Sequence, residues 1–321
     1  RSSGIWQSVW IEPVNKNYIT DFRCTPLFDQ GSVEFNIKTK SAEKNTKIMI
    51  QISFGDTLIA EDIITVNNIE TKRIYDIFQK KIFRGCTHGS GWTWTPENPN
   101  LFDVTLTLIT DDKVSDKIES YFGMRKIHTE NGKIYLNNRP YYQRLVLDQG
   151  YWPDSLMTAP SDEDFKKDII LAKQMGFNGC RKHQKIEDRR FLYWADKLGY
   201  LVWSEMPSTI SYDSNSVSRI TNEWIESVDR DYNHPCIVTW VALNESWGVS
   251  EINYNKMQQS HSLSLYYMLH SLDNTRPVIA NDGWEATKTD ICAVHNYQHG
   301  TKDEKEKYEK FIKDLSTKED I

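Results

Sequence analysis

Two polar residues, Asn244 and Glu245, stand where a buried strand should end. The preceding run, residues 237–243, is apolar and rich in β-branched side chains, which predicts a strand that is covered on both faces. A carboxylate that follows such a strand lies at the carboxyl edge of the sheet, and Glu245 is therefore a candidate general acid. The alternative is that Glu245 caps the next helix or pairs with a lysine on the surface.

The elements that must position this pair follow Gly132, where strands begin to alternate with helices. Strands are expected at residues 142–147, 177–181, 201–205, 237–243, 278–281 and 291–294, and helices at 161–176, 188–198, 218–231, 253–271 and 302–315. This alternation predicts a parallel sheet. A (β/α)₈ barrel carries its reacting groups at the carboxyl ends of eight such strands, and about six are expected in residues 126–321.

The earlier region, residues 13–125, has an all-β pattern. Strand-like runs at 32–38, 47–54, 58–66 and 102–109 are separated by turn residues such as Gly31 and Gly55. This spacing predicts an immunoglobulin-like β-sandwich that serves as a spacer. Residues 5–12 also alternate, which predicts a further strand without a preceding partner, so the chain is expected to begin inside a domain.

Composition bounds the class of protein. The 321 residues fit two to three domains, and the net charge of −6 is dispersed, which argues against a nucleic-acid partner. No apolar run is long enough for a membrane-spanning helix. The five cysteines are odd in number and lack CxxC spacing; they are Cys24, Cys86, Cys180, Cys236 and Cys292. They are expected to be reduced core residues without a metal, which favours a cytoplasmic location, although a preceding secretion signal is left open.

Eight segments occur in an order that resembles a known family: GIWQSVWIE, WTPENPNLFDVTLTL, YFGMRKI, GKIYLNNRPYYQRLVLDQ, NGCRKH, LGYLVWSEMP, HPCIVTWVALNESWG and TRPVIANDGW. Together they resemble glycoside hydrolase family 2, the β-galactosidase, β-glucuronidase and β-mannosidase group, over essentially the whole chain. The resemblance implies that residues 1–12 are the last strand of a truncated jelly roll. It also implies an immunoglobulin-like sandwich at 13–125 and an incomplete TIM barrel at 126–321.

The resemblance assigns chemistry to the polar pair. It implies that Glu245 is the acid/base and that Asn244 hydrogen-bonds the sugar 2-hydroxyl. A glycosidic oxygen leaves poorly unless it is protonated, so the pKa of Glu245 should be raised. Retention also needs a second carboxylate about 5–5.5 Å away, which the family takes from strand seven, expected beyond this chain. Glu205, Asp282 and Glu285 are alternative acids at predicted strand ends.

The resemblance also implies residues that surround the substrate. Arg181 and His183 follow strand two, although the spacing is one residue shorter than the R-x-x-H of better known members, and a solvated basic turn is the alternative. Asp148 follows strand one and either binds sugar hydroxyls or caps its loop. His295 and Tyr297 lie near the place of a tyrosine that contacts the nucleophile in the family.

Four further residues complete the predicted site. Glu205 is expected to act as a hydrogen-bond partner behind the substrate, with a structural ion pair to Arg181 as the alternative. Trp152, Trp247 and Trp284 each follow a strand, where a ring face can stack on a pyranose, although each could instead belong to the core. No residues match the metal-ligand sets of the metal-binding members, so no cofactor is expected.

Two functions of different class remain. The first is retaining hydrolysis of terminal β-glycosides, β-galactosidase-like, by a longer protein of which this chain lacks the nucleophile. The second is a non-catalytic carbohydrate-binding or scaffold protein with the same fold. The sequence leaves open which sugar is bound and whether the full-length protein is a homo-oligomer.

Overall fold

The computed structural model describes residues 4–83, 85–86, 91–297 and 300–316. Its first unit is a sandwich of two antiparallel sheets. The strands are β1 (Ile19–Leu27), β2 (Ser32–Thr39), β3 (Thr46–Phe54), β4 (Thr57–Thr65), β5 (Glu70–Asp76), β6 (Phe102–Thr110) and β7 (Lys113–Phe122). One sheet has the order β1-β2-β5 and the other β4-β3-β6-β7. Alternate side chains of β2 and β3, such as Phe35 and Ile50, are buried between the sheets, which confirms the predicted sandwich.

A small antiparallel sheet links this unit to a parallel one. The linking strands are β8 (Ile127–Glu130), β9 (Lys133–Leu136) and β10 (Arg139–Pro140). The parallel strands are β11 (Leu145–Asp148), β12 (Gly179–Lys182), β13 (Leu201–Glu205), β14 (Ile237–Val241) and β15 (Val278–Ile279). They pair in sequential order, each parallel to the next. This order is that of an incomplete TIM barrel, as predicted.

Helices follow the strands of the parallel sheet, one after each strand. They are α1 (Asp162–Gln174), α2 (Arg189–Leu198), α3 (Ser214–Asp231), α4 (Lys256–Leu272) and α5 (Lys302–Ser316). The boundaries agree with the predicted helices to within a few residues, the largest shift being the start of α3 at Ser214 instead of 218. That earlier start has a local cause, because Asp213 and Ser216 form a capping box there. Among the described helices, none combines the length and the apolar composition that a membrane-spanning segment requires.

Two predicted strands are absent from the described part of the chain. Residues 291–294 form no strand, so the parallel sheet has five strands there instead of six; these residues are exposed or half-buried and lack the cover of a barrel strand. Residues 5–12 also form no strand. Instead, the Trp6 carbonyl accepts a hydrogen bond from Thr158 Oγ1 at 2.5 Å, and Gln7 Nε2 donates to the Ile186 carbonyl at 3.0 Å. Alternating apolar and polar side chains are therefore not sufficient for a strand, because a strand also needs a partner strand to pair with.

The sandwich contacts the loop that leads into β14. Asn233 Oδ1 accepts from the Cys24 backbone N–H at 2.8 Å, and Asn233 Nδ2 donates to the Phe22 carbonyl at 2.6 Å. The buried Arg125, between the two units, donates from Nε to the Pro235 carbonyl at 3.0 Å and from Nη2 to the Ile237 carbonyl at 2.7 Å. The sandwich therefore fixes the start of β14, a role beyond that of a spacer.

A second polar contact lies at the same junction. The fully buried Asp196 of α2 accepts from Tyr121 Oη at 2.7 Å and from the Cys236 backbone N–H at 2.8 Å. His234 Nδ1 lies 2.5 Å from Asp196 Oδ2. Among the described residues, Asp196, His234 and Cys236 form a group with metal-ligand atoms close together. Because the carboxylate is already paired on both oxygens, we interpret the group as a hydrogen-bond network.

Replacing Arg125 with methionine should lower the free energy of unfolding by about 2 kcal/mol, because the Pro235 carbonyl loses its donor and the Ile237 carbonyl keeps only the hydrogen bond from Arg276 Nε. Urea denaturation followed by tryptophan fluorescence measures this change. Arg139→Met, at an exposed position of β10, is the matched control. A loss no larger than that of the control would contradict the proposed role of Arg125.

Candidate active site

The parallel sheet brings polar residues together at its carboxyl edge. Arg181 and Lys182 are adjacent in β12, and their side chains lie on opposite faces of the sheet. Lys182 Nζ lies 3.8 Å from the ring centroid of Phe191 in α2, on the helix side. Arg181 lies on the other face, beneath the mouth of the barrel. Two separate charged clusters result, one around each cation.

Arg181 is the centre of the first cluster. Its Nη2 donates to Asn244 Oδ1 at 3.0 Å, and its Nε lies 3.0 Å from Glu205 Oε2. Its Nη1 forms an ion pair with the Asp282 carboxylate and lies 2.9 Å from His295 Nε2. One guanidinium therefore contacts groups at the end of β13 and in the loops after β14 and β15. The ion pair between Arg181 and Glu205, the alternative interpretation of Glu205, is present.

His183 joins this cluster in spite of its shorter spacing. Its Nδ1 lies 2.9 Å from Arg181 Nη2 and 3.1 Å from Glu205 Oε1. Glu205 is fully buried, and its Oε1 also accepts from the Gln184 backbone N–H at 2.8 Å. The turn after β12 is therefore held against the end of β13, and the solvated basic turn is not what forms.

Glu245 contacts residues far along the chain. His295 Nδ1 lies 2.6 Å from Glu245 Oε1, and Tyr297 Oη donates to the same oxygen. His295 Nε2 lies 3.4 Å from Asp282 Oδ2, so the imidazole bridges two carboxylates. Trp284 Nε1 donates to the His295 carbonyl at 3.2 Å. Glu245 therefore neither pairs with a lysine nor caps a helix in the described structure.

The direction of the pKa shift at Glu245 differs from the prediction. Burial raises the pKa of Glu245. Hydrogen bonds from Tyr297 and His295 and the charge of Arg181 lower it by a larger amount, so the pKa falls below its ordinary value. The expected raised pKa is wrong for this arrangement. The pKa of His295 is raised, mainly by its hydrogen bond to Asp282 and also by that to Glu245, while burial acts in the opposite direction.

Asp148 belongs to the second cluster. Its Oδ2 accepts from Lys182 Nζ at 2.6 Å, and its Oδ1 accepts from the Gly150 backbone N–H at 2.7 Å. Lys182 Nζ also lies 2.9 Å from Glu187 Oε2. Lys182 and Glu187 are buried, and the half-buried Asp148 pairs with Lys182 on the helix side of the sheet. The geometry therefore favours the loop-capping alternative for Asp148 over sugar binding.

The three candidate tryptophans differ in environment. Trp284 is 52% exposed, and its ring centroid lies 5.8 Å from that of His295 and 6.4 Å from that of Tyr297. Trp247 is exposed on the loop after Glu245. Trp152 is half-buried and packs its ring against Phe165, with centroids 6.1 Å apart, as a core residue does. Trp284 is therefore the best placed of the three to stack on a bound sugar.

Sequence reasoning missed the residues that hold the turn after β14. Ser246 donates its backbone N–H to Asn281 Oδ1 at 3.0 Å and its hydroxyl to Glu285 Oε2 at 2.7 Å. Glu285 is therefore occupied by a structural contact, which argues against its use as a nucleophile. The polar residue Asn281 directly after an apolar run is a signal that could have identified this contact.

Two family models match this chain and identify its family. The family described as glycosyl hydrolases family 2 matches residues 17–125, and glycosyl hydrolases family 2, TIM barrel domain, matches residues 127–320. The chain belongs to glycosyl hydrolase family 2. The predicted family is therefore confirmed, and its two matched parts correspond to the sandwich and the parallel sheet.

Relatives within family 2 are considerably longer than this chain. A β-galactosidase of Thermoanaerobacter pseudethanolicus is 28% identical over 281 residues, which are 85% of this chain and 36% of that protein. A putative β-glucuronidase of Formosa agariphila is 24% identical over 301 residues, which are 88% of this chain and 34% of that protein. The chain thus spans about a third of the length of these relatives.

Solved structures share the fold. An FMN-binding β-glucuronidase from Facaelibacterium prausnitzii L2-6 matches with a TM-score of 0.76 and 22% identity, covering 94% of this chain and 48% of that one. A family 2 β-galacturonidase from Eisenbergiella tayi, bound to galacturonate, matches with a TM-score of 0.66 and 22% identity, covering 83% and 46%. At this identity the likeness concerns the fold.

The pair of Glu245 and His295 predicts a pH-dependent stability. Because the pKa of His295 is raised above 6.5, its contribution is complete below about pH 6.5 and is lost as the pH rises through the raised value. Because the pKa of Glu245 is lowered below 4.5, its contribution is present above about pH 4.5 and is lost as the pH falls through the lowered value.

His295→Gln should therefore lower the melting temperature most near pH 5.5–6.5 and least at pH 9, where the wild-type histidine has lost its proton. Thermal melts across this range measure the difference, with His128→Gln in β8 of the linking sheet as the control. A difference between wild type and His295→Gln that does not change with pH would contradict the charged pair.

Proposed function

We propose that the protein containing this chain is a retaining, exo-acting β-glycosidase, β-galactosidase-like, in which Glu245 is the acid/base. The observation that carries the proposal is the position of Asn244 and Glu245 after β14, the fourth parallel strand of a family 2 barrel. Around them, Arg181 and its partners form a polar cluster at the carboxyl edge, where barrel enzymes bind their substrates. The substrate is a carbohydrate with a terminal β-linked sugar.

The unfilled hydrogen-bonding capacity of Asn244 supports a sugar contact. Asn244 is 1% exposed, and its Oδ1 is occupied by Arg181. Its Nδ2 has no hydrogen-bond partner among the described residues. A buried N–H without an acceptor costs about 1–3 kcal/mol, and a sugar hydroxyl would supply one. We therefore assign Nδ2 to the 2-hydroxyl of the sugar.

Acid catalysis requires that Glu245 be protonated when the substrate arrives. In the present arrangement Tyr297 and His295 stabilise the carboxylate form. A second carboxylate about 5–5.5 Å away would raise the pKa of Glu245 by like-charge repulsion. Tyr297 and His295 could then turn to that carboxylate. Glu245 would protonate the leaving oxygen and afterwards remove a proton from water.

The second carboxylate is best assigned outside this chain. Glu205 and Asp282 are both paired with Arg181, and Glu285 accepts from Ser246. A nucleophile must be free to attack the anomeric carbon, so these three acids are poor candidates. This chain alone should therefore not turn over glycosides.

No observation favours the non-catalytic alternative. The named relatives are glycosidases that act on more than one sugar, so the identity of the sugar stays open.

A substrate panel tests the reaction. Expressed from the extended reading frame, the protein should hydrolyse one of the aryl β-D-galactoside, glucuronide, mannoside or glucoside, and Glu245→Gln should slow that reaction by roughly 10²–10⁴-fold. Glu226→Gln, exposed on α3, is the control. If the present chain hydrolyses a glycoside and Glu245→Gln abolishes that activity, the proposal that the nucleophile lies outside this chain is contradicted. If the extended protein is folded but hydrolyses none of these substrates, carbohydrate binding without catalysis is favoured.

The contact to the 2-hydroxyl has its own test. Asn244→Ala should lower kcat/KM about 10–100-fold on the preferred aryl glycoside, since one buried hydrogen bond is lost. On the 2-deoxy analogue, which lacks the hydroxyl, the same replacement should have little effect. An equal loss on both substrates would show that Asn244 acts in another way.

A further inference from the structure

The turn that presents Glu245 has an unfavourable backbone. Glu245 has a φ of +48° and Ser246 a φ of +58°, so two consecutive residues other than glycine lie in the left-handed region. This conformation costs roughly 1–2 kcal/mol per residue for L-amino acids. It persists only where the surrounding structure holds it, and such positions cluster at functional sites.

The neighbouring loop after β15 provides the hold. The Glu245 backbone N–H donates to the Asp282 carbonyl at 2.7 Å, and the Ser246 backbone N–H donates to Asn281 Oδ1 at 3.0 Å. Gly283 allows this close approach, since a Cβ there would lie 3.3 Å from Glu245 Cα. Each of the two strained residues thus has its backbone N–H bound by the same neighbouring loop.

Asn281 uses its whole side chain on this turn. It is 2% exposed, its Oδ1 accepts from the Ser246 backbone, and its Nδ2 donates to Ser246 Oγ at 3.0 Å and to the Glu285 carbonyl at 2.6 Å. Glu285 Oε2 accepts from the Ser246 hydroxyl at 2.7 Å, and its Oε1 accepts from Asn253 Nδ2 at 3.1 Å. Ser246 is thereby held through both its backbone and its hydroxyl.

We propose that Asn281 and Glu285 are positioning residues that hold the carboxyl of Glu245 in its reacting orientation by clamping Ser246. The inference rests on the proposed function of Glu245. Neither residue is among the groups that act on the Glu245 carboxyl, which are Tyr297, His295 and Arg181. Release of the clamp lets residues 245–246 relax toward negative φ, and the carboxyl then leaves His295 and Tyr297.

The first experiment uses the chain itself. Asn281→Ala is compared with Asn178→Ala, a buried asparagine before β12 that likewise accepts from a backbone N–H, that of Arg144 at 2.7 Å, and donates to a backbone carbonyl, that of Tyr142 at 2.9 Å. Titration of ¹³C-labelled glutamate carboxyls by NMR, with Glu245 assigned by its loss in Glu245→Gln, reports the environment of the carboxyl.

Both asparagine variants should lower the melting temperature, but only Asn281→Ala should move the titration of Glu245 toward that of an ordinary glutamate and speed amide exchange at Ser246. Ser246→Ala, which removes only the hydroxyl, should move the titration in the same direction by less, and it carries the test if Asn281→Ala does not fold. An unchanged Glu245 titration in the folded variants overturns the clamp.

The second experiment uses the extended, active protein and the dependence on the leaving group. Phenyl glycosides need protonation of the departing oxygen, whereas 2,4-dinitrophenyl glycosides do not. Asn281→Ala should therefore lower kcat/KM for the phenyl glycoside about tenfold and leave kcat/KM for the dinitrophenyl glycoside nearly unchanged, since kcat/KM covers only the steps up to departure of the leaving group. An equal fall in kcat/KM for both substrates overturns the positioning role. If Glu245→Gln itself shows no such dependence, the proposed function has failed, and the NMR titration still decides the clamp.

Discussion

The largely buried guanidinium of Arg181, whose side chain is 12% exposed, is the constraint on which the site depends. A buried cation is tolerated only when charged and hydrogen-bonding partners surround it, because desolvation costs several kcal/mol. Its partners Glu205, Asn244 and Asp282 come from the ends of β13 and β14 and from the loop after β15. These groups can meet only if the strands are parallel and in sequential order. The strand order that forms the sheet therefore also brings the site residues together.

The sequence predicted the features that depend on local patterns of burial. Alternation in β2 and β3 and the helical period around α2 follow from which face of each element is covered, so the sandwich and the strand–helix order could be inferred. Strands at 5–12 and 291–294 could not be judged in this way. A strand requires a neighbouring strand for its backbone groups, and a run of side chains contains no information about that neighbour.

The candidate site shows the same division. The change from apolar residues to Asn244 and Glu245 is visible in one segment, and the resemblance to the family identified Arg181, His183 and His295. For Asp148 the sequence left sugar binding and loop capping open, because it does not show that Lys182, on the helix side of β12, pairs with this carboxylate. The pKa of Glu245 depends on side chains about 50 residues further along the chain, which no local pattern reports.

The junction between the sandwich and the barrel has a consequence for how the two units can be separated. Arg125 comes from the connection after β7, yet it supplies donors to carbonyls at the start of β14. Asn233, from the barrel side, completes the backbone bonding of β1. A cut between the units would leave unpaired polar groups on both sides of it. Recombination among relatives should therefore exchange the sandwich and the barrel as one inherited block, with new boundaries placed outside the pair.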